Sequence, residues 1–216
     1  MQDVRTLINN LIYTMKTITK DLLVAAKFAA KDGIRPVLAS VMIDNEKMVA
    51  TDSYKLIEIK HGANEAKDFP IVEGNTQVES LEKPVLIMAK DVLKKMKFTS
   101  VRGLPVLDDA VLANESEKTI SLLTTDMETA NALQFRKVDG QFPDYERVMP
   151  AKDKEPLVTV KLNALLLAEV LAAFESDSYA KNGIELKIYG VLDPIVIEGT
   201  EKDNLNKRAM LMPLKG

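Results

Sequence analysis

The chain of 216 residues contains no cysteine, no tryptophan and one histidine, His61. Without cysteine, disulfides, thiolate nucleophiles and thiolate zinc sites are excluded. One histidine cannot build a histidine-based metal site or an ordinary Ser-His-Asp triad. No apolar run reaches the ~20 residues of a membrane span, and the N-terminus shows no signal-peptide pattern. We therefore expect a cytoplasmic protein with no membrane segment.

The sequence also lacks the common catalytic motifs. It has no glycine-rich phosphate loop, no Gly-x-Ser-x-Gly and no His-Glu-x-x-His. A metal-dependent nuclease could be assembled only from scattered aspartates, namely Asp52, Asp108, Asp109, Asp126 and Asp144. Aspartates in loops are far more often turn formers. The sequence therefore predicts a binding protein, not an enzyme, with no cofactor and no metal.

Apolar periodicity indicates three internal repeats, each a strand, a helix and three further strands, with a spacing of about 65 to 70 residues. The predicted helices cover Lys20–Lys31, Lys90–Lys97 and Asn163–Ser176. The predicted strands cover 13–19, Val37–Ile43, Met48–Thr51, Lys55–Lys60, Pro84–Met88, Asp109–Asn114, Thr119–Leu123, Ala132–Val138, Leu157–Lys161, Ile184–Ile188, Pro194–Glu198 and Arg208–Leu214. Gly33 is predicted to end the first helix in a left-handed cap, and a further helix is predicted at 4–12. The pattern favours an α+β fold with helices on one face of antiparallel sheets.

The stretch 140–150 reads Gly-Gln-Phe-Pro-Asp-Tyr-Glu-Arg-Val-Met-Pro. Its two prolines exclude a helix and disfavour a central strand. Phe142, Tyr145, Val148 and Met149 nevertheless favour burial. The stretch is interpreted either as a linker with buried anchors or as one wall of a binding site.

The net charge of −3 argues weakly against a general nucleic-acid binder, but the basic residues are unevenly distributed. The first two predicted helices and their flanks carry Lys20, Lys27, Lys31, Arg35, Lys90, Lys94, Lys95 and Lys97. The third carries Glu169 and Glu175 and no lysine. The basic helices are interpreted either as solvated faces or as a surface that meets phosphates.

Three separated segments resemble the bacterial DNA polymerase III beta subunit, the sliding clamp. The connector 140–150 resembles the stretch after that family's middle domain. Val49–Leu56 (Val-Ala-Thr-Asp-Ser-Tyr-Lys-Leu) is similar to its V-A-T-D-G-H-R-L segment, and Met210–Leu214 is similar to its V-V-M-P-M tail. The resemblance covers residues 15–216 and implies a DNA-clamp fold of repeated half-domains.

This resemblance implies a shortened, divergent member of the family. The domains it implies are an N-terminal helical extension (1–14), a complete clamp domain of two half-repeats (15–139), a connector (140–156) and a third half-repeat that ends in the Met-Pro tail (157–216). A family subunit has three domains of two half-repeats each. The family's first domain and one further half-domain therefore have no counterpart in the sequence.

The implied function is that of a processivity factor for DNA replication. Such a clamp encircles duplex DNA independently of sequence, and its lysine-bearing helices face the DNA. Short peptide motifs of the polymerase, the clamp loader and other replication or repair proteins bind a hydrophobic cleft. By resemblance, the cleft role falls on Leu38, Thr51, Ser53, Tyr54, Lys55, Leu56, Pro143, Arg147, Val148, Met210, Met212 and Pro213. Ser53-Tyr54 stands where the family has Gly-His, and the chain ends Lys215-Gly216 instead of Arg-Leu, which bears on partner preference.

The third repeat leaves two assemblies open. Its predicted helix is too apolar to stay uncovered, because it presents Leu162, Leu165, Leu166, Val170, Leu171 and Phe174. Pairing with a repeat of another copy would give a ring-forming homo-oligomer. Four copies would supply the twelve half-repeats of a family ring, which makes a tetramer one arrangement. Alternatively, the helix at 4–12 covers this face and the protein is a monomer, which suits a clamp-derived adaptor or decoy that binds clamp-motif peptides without encircling DNA.

Overall fold

The structure, a computed structural model, describes residues 17–61, 69, 78, 80–151, 153–175, 183–201 and 205–214. The chain divides into two compact units, Met1–Asp144 and Tyr145–Gly216. The predicted helix at 4–12 lies outside the described residues. Within those ranges, every helix is too short or too polar to cross a membrane. The domain boundaries proposed from the sequence stay a prediction.

Both units alternate short helices with antiparallel strands. The first unit contains β1 (Thr17–Thr19), α1 (Asp21–Ala26), β2 (Ser40–Ile43), β3 (Lys47–Thr51), β4 (Leu56–Lys60), β5 (Val85–Met88), α2 (Ala89–Lys95), β6 (Asp109–Ala113), β7 (Thr119–Thr125) and β8 (Ala130–Arg136), with a 3-10 turn at Pro105–Asp108. The second unit contains a 3-10 turn at Tyr145–Arg147, then α3 (Ala164–Ala172), β9 (Ile184–Lys187), β10 (Ile195–Gly199) and β11 (Arg208–Leu211).

The two half-repeats of the first unit exchange their first strands. One sheet has the order β4-β3-β2-β5 and the other β1-β6-β7-β8, with every pair antiparallel. β5 begins the second half-repeat but pairs with β2 of the first, so that Ile43 lies opposite Val85. Correspondingly, β1 pairs with β6, and Ile18 lies opposite Ala110. Each half-repeat therefore completes the sheet of the other.

The two half-repeats that exchange strands also share a core. One cluster of buried residues takes Leu22 and Ala25 from α1, Val92 from α2, and Ile87 and Leu122 from the two sheets. α1 and α2 pack against one another within it. Burying each large aliphatic side chain contributes about 1.5–3 kcal/mol. Because both halves supply the cluster, neither helix face has to be exposed.

The second unit is built from one half-repeat. Its sheet has three strands in the order β11-β10-β9, and its core cluster contains Phe174, Ile195 and Ile197. Asn163 caps α3, because its Oδ1 accepts hydrogen bonds from the backbone N–H groups of Leu165 (2.9 Å) and Leu166 (3.2 Å). None of the nine residues of α3 is buried.

Several sequence predictions about individual elements are wrong. α1 ends at Ala26, and Lys27 is its C-cap in a right-handed conformation, so Gly33 is not the cap. The strand predicted from Val37 begins at Ser40, because the Arg35 carbonyl accepts the N–H groups of Leu38 and Ala39 in a helical turn. Residues 157–161 do not form a strand.

Candidate functional site

The turn between β3 and β4 carries most of the first segment that resembles the clamp family. The Thr51 hydroxyl donates to the Lys55 carbonyl (2.8 Å) and accepts from the Ser53 N–H (3.1 Å). Asp52 Oδ1 accepts from the N–H groups of Tyr54 and Lys55, both at 2.9 Å. These bonds fix the loop, and Tyr54 projects from it with 84% of its surface exposed.

Two of the cleft residues implied by the resemblance are buried. Leu38 and Thr51 lie inside the first unit, whereas Ser53, Tyr54 and Lys55 are exposed and Leu56 is half-buried. Leu38 and Thr51 could therefore meet a ligand only as the floor of a site. Tyr54 and Lys55 are the side chains that a partner reaches first.

The same turn occurs twice in the first unit, a duplication that the sequence predictions did not include. Between β7 and β8, the Thr125 hydroxyl donates to the Thr129 carbonyl (2.7 Å) and accepts from the Met127 N–H (2.9 Å). Asp126 Oδ1 accepts from the N–H groups of Glu128 and Thr129. The signal was available as a Thr-Asp pair at the end of the third strand of each half-repeat. The duplication marks the two halves as structural repeats.

Lys55 is tied to the end of α1. Its Nζ donates to the Lys27 carbonyl (3.2 Å) and lies 3.9 Å from an Asp52 carboxylate oxygen and 5.1 Å from the centre of the Phe28 ring. A cation at a helix C-terminus is favourable because the last carbonyls carry partial negative charge. Lys55 also lines a cavity of about 540 Å³ between the end of α1 and the start of α2.

That cavity lies among the basic residues singled out from the sequence. Ala26, Met88 and Leu93 contribute apolar surface, while Lys27, Lys31, Lys55 and Lys90 surround them with positive charge, opposed by Asp32. The surface formed by α1, α2 and their flanks thus combines an apolar hollow with a cationic rim. Such a surface suits anionic ligands.

The connector divides at the boundary between the two units. In the first unit, Phe142 is buried and Pro143 is exposed. Gly140 has a φ of 130°, and a side chain there would meet Val37 Cγ2 at 2.8 Å, so glycine is required. In the second unit, Tyr145 is buried at the start of the 3-10 turn, and Arg147 at its end and the following Val148 are exposed.

The tail presents its two methionines to solvent. In β11, Met210 lies opposite Val196 and Leu211 opposite Ile195. Leu211 points into the core, so its neighbours Met210 and Met212 are exposed, and Pro213 is half-buried. Flexible thioethers at a surface can adapt to different apolar anchors. Together with Arg147 and Val148, they are the predicted cleft residues of the second unit.

The candidate DNA-facing residues are not equivalent. Six of these residues are exposed and make no hydrogen bond from the side chain to a neighbouring element among the described residues. They are Lys27, Lys31, Arg35, Lys90, Lys94 and Lys97. Lys20 instead donates to Asp108 Oδ2 (2.9 Å). Lys95 donates to the Gln134 carbonyl (2.7 Å) and lies 5.0 Å from the centre of the Phe135 ring. Lys20 and Lys95 therefore stabilise the unit and are the weaker candidates.

Three of the aspartates considered for a nuclease site, Asp52, Asp108 and Asp109, have pKa values set by hydrogen bonds, burial or a neighbouring charge within the fold. Hydrogen bonds from Lys20 and then Ser100 hold the pKa of Asp108 below its ordinary value. Burial raises the pKa of Asp52, but hydrogen bonds from the N–H groups of Lys55 and Tyr54 outweigh it and leave the pKa lowered. Burial and the neighbouring charge of Asp108 raise the pKa of Asp109. In the part of the chain that is described, no three acidic or histidine side chains gather as a metal site.

Comparison with known proteins places the fold. No protein-family model matches the chain, and no curated protein matches it. Among solved structures, the chain is similar to the DNA polymerase sliding clamp from Bacillus subtilis, with 15% identity, a TM-score of 0.59 and coverage of 92% of this chain and 49% of the clamp. It is also similar to the DNA polymerase beta subunit of Streptococcus pyogenes (15%, TM-score 0.58, 92% and 50%) and to the sliding clamp from Caulobacter crescentus (15%, TM-score 0.57, 93% and 50%).

The likeness confirms the predicted fold class and the resemblance at the level of the fold. The chain has the α+β DNA-clamp fold of bacterial sliding clamps. It spans about half the length of the clamps that it matches.

Proposed function

We propose that this protein acts as a sliding clamp, a non-catalytic processivity factor that encircles duplex DNA and tethers replication and repair proteins to it. The observation that carries the proposal is the pair of strand-exchanged half-repeats in the clamp fold, whose helices and flanks expose Lys27, Lys31, Arg35, Lys90, Lys94 and Lys97. Clusters of lysine and arginine attract phosphates without reading bases. A cytoplasmic location, ring-forming self-association and tetramer formation belong to the proposal.

The proposal includes binding of short peptide motifs from a polymerase and a clamp loader. On the first unit, we assign this role to Leu38, Thr51, Ser53, Tyr54, Lys55, Leu56 and Pro143. On the second unit, we assign it to Arg147, Val148, Met210, Met212 and Pro213. Exposed Tyr54, Val148, Met210 and Met212 supply apolar contacts, while Lys55 and Arg147 supply charge. A few polar groups beside an apolar surface suit peptide recognition.

A topological assay tests the clamp function. The protein would be assembled on nicked circular DNA, with a loader added in a parallel sample, and then separated from free protein at moderate salt. We expect the protein to stay with circular DNA and to be lost when the same DNA is linearised, because a ring slides off an end. Equal retention on both forms, or on neither with and without a loader, would contradict encirclement.

A second candidate function is a clamp-derived adaptor or decoy. The second unit favours it, because α3 and its C-terminal flank expose Glu169 and Glu175 and carry no basic residue. A helix of this kind would repel DNA. The adaptor would bind clamp-motif peptides but would not be retained on circular DNA.

Peptide binding separates the two candidates. Fluorescence anisotropy of a labelled clamp-motif peptide should report binding in both cases, and Met212→Ala should weaken it. Lys118→Ala, at an exposed lysine directly before β7, is the control. Peptide binding with DNA retention supports the clamp, and peptide binding without retention supports the adaptor. Unchanged binding in Met212→Ala would remove the tail from the proposed site.

A further inference from the structure

α3 differs from α1 and α2 in burial although it is the most apolar of the three. Its sequence Ala-Leu-Leu-Leu-Ala-Glu-Val-Leu-Ala contains one polar residue, yet none of its side chains is buried, and Leu165 is 75% exposed. α1 buries Leu22, Ala25 and Ala26, and α2 buries Ala89 and Val92. The difference follows from packing, since α1 and α2 cover one another and the second unit contains no second helix among its described residues.

The sheet of the second unit also has an open edge where the sheets of the first unit are paired. β2 and β6, the first strands after α1 and α2, each pair with a strand from the other half-repeat. Among the described residues, β9, the first strand after α3, pairs with β10 alone and lies at the edge of its sheet. An open edge exposes hydrogen-bonding groups of the backbone.

The segment before α3 has the composition of a strand without the structure of one. Residues 157–161 read Leu-Val-Thr-Val-Lys and occupy the place in the repeat that β1 and β5 occupy in theirs. Leu157 is fully exposed. Within the second unit, one backbone hydrogen bond joins the segment to the tail, from the Leu214 N–H to the Lys161 carbonyl (2.8 Å). In the first unit, the strand before each helix pairs in the sheet of the other half-repeat; the same rule predicts a partner sheet in another half-repeat for this segment.

An apolar groove lies beside α3. It has a volume of about 550 Å³ and is lined by Ala168, Leu171, Ala172, Phe174, Glu175 and Ile184. Ile184 opens β9, so the groove runs from the helix to the start of the open strand. Small residues on α3 allow close approach of a second helix.

We propose that the third half-repeats of two copies of this chain complete one another. Residues 157–161 of each copy pair antiparallel with β9 of the other, and the two α3 helices pack together in the groove. The occupant is a second copy for two reasons. First, the partner of a half-repeat in the first unit is another half-repeat. Second, a second copy presents the same open strand edge and the same helix face, so one two-fold axis would cover the edge and the helix of both copies. This pairing would form one of the contacts between copies in the proposed ring, and in that respect it rests on the proposed function.

The mass of the full-length chain in solution tests the proposal. We expect light scattering at micromolar concentration to give an even multiple of the 24.0 kDa chain mass. Leu165→Glu should halve that mass, because it places a charge in the shared helix contact. Ile34→Glu, at an 84% exposed position of the first unit, should leave it unchanged. A monomeric parent chain, or an unchanged mass in Leu165→Glu, would overturn the proposal.

Cross-linking keeps the test decisive if Leu165→Glu does not fold. The chain contains no cysteine, so Ala168→Cys introduces a single thiol at the middle of α3, where a two-fold axis brings it towards its own equivalent. Under mild oxidation we expect a covalent dimer from Ala168→Cys and none from the control Ile34→Cys. Absence of the Ala168→Cys dimer would count against the helix pairing.

Three further outcomes identify which proposal has failed. If the full chain is a monomer and associates only after residues 1–16 are deleted, the N-terminal segment covers α3, and the proposal is wrong. If Leu165→Glu halves the mass but the parent chain is not retained on circular DNA, the paired half-repeats stand and encirclement fails. If the parent is retained as an oligomer that Leu165→Glu does not alter, encirclement stands and this contact is wrong.

Discussion

Ser53 and Met127 occupy equivalent positions in the two Thr-Asp turns, and both have left-handed backbone conformations. Their φ angles are 82° and 79°. A residue with a β-carbon is strained by about 1–3 kcal/mol in this region, whereas glycine has no such strain. The clamp-family segment that resembles Val49–Leu56 has glycine where Ser53 stands. The hydrogen bonds to Thr51 and Thr125 hold the strained residues in place.

Ser53→Gly should raise the free energy of unfolding by about 1 kcal/mol, because the strain at this position is removed. Met127→Gly, in the duplicate turn, should have an effect of similar size. Urea denaturation followed by circular dichroism measures both. Tyr54→Gly is the control and should bring no gain, since Tyr54 does not have a positive φ. Absence of a gain in both Ser53→Gly and Met127→Gly would argue against strain in these turns.

Asp109 is a buried carboxyl whose pKa is raised by burial and by the charge of Asp108. Between its unfolded and its folded pKa, the native state binds more protons than the unfolded state, so stability falls as pH rises through this window. The cost is then fully present above the folded pKa and absent below the unfolded pKa.

Asp109→Asn should therefore raise the free energy of unfolding at pH 7 by about 1 kcal/mol, a common size for one site. The gain should vanish below about pH 4, where the aspartic acid is protonated in both states. Denaturation curves at a series of pH values check the prediction. A gain that persists unchanged at low pH would show that charge is not its cause. Asp108→Asn should do the opposite at neutral pH, because hydrogen bonds from Lys20 and Ser100 lower the pKa of Asp108.

At the scale of elements, α1 is stabilised by the half-repeat that faces it. Leu22 is 0% exposed and Val24, on the same helix, is 41% exposed. Leu22→Ala should lower the free energy of unfolding by about 2–5 kcal/mol, because apolar burial is reduced and a residual cavity remains. Val24→Ala should change it by less than about 1 kcal/mol. Thermal and urea denaturation measure the difference, and similar decreases in both variants would contradict the packing of α1 against α2.

At the scale of the whole molecule, the exposed and the bonded lysines should contribute differently to DNA binding. Lys31→Gln and Lys94→Gln should each weaken binding equally on all sequences and reduce the slope of log affinity against log salt by about one for each phosphate that is no longer neutralised. Lys95→Gln is the control and should leave the slope unchanged, because Lys95 donates to the Gln134 carbonyl. Titration of duplex DNA at several salt concentrations provides the slopes. Equal slopes in all three variants would remove α1 and α2 from the DNA-facing surface.

The sequence predicted the order of α-helices and strands in the described residues, except that the strand predicted at 157–161 does not form. Alternating apolar residues set most strands, and three- to four-residue spacing set the helices, because these periods are local properties of the backbone. The Thr-Asp turns were also present as local hydrogen-bonding patterns. The ends of the elements were predicted less accurately: Gly33 does not cap α1, because α1 ends at Ala26 with Lys27 as its C-cap. β2 begins later than predicted, because the chain first makes a turn at Arg35.

Only the tertiary structure decided which strands pair and which side chains stay accessible. β5 joins β2, and β1 joins β6, through contacts between residues far apart in sequence, and nothing in a local period selects them. Leu38 and Lys95 read like any apolar or basic residue, but packing buries the first and ties the second to β8. Residues 157–161 have the composition of a strand but pair with no strand of the described residues, and a strand forms only where a neighbouring edge satisfies its backbone.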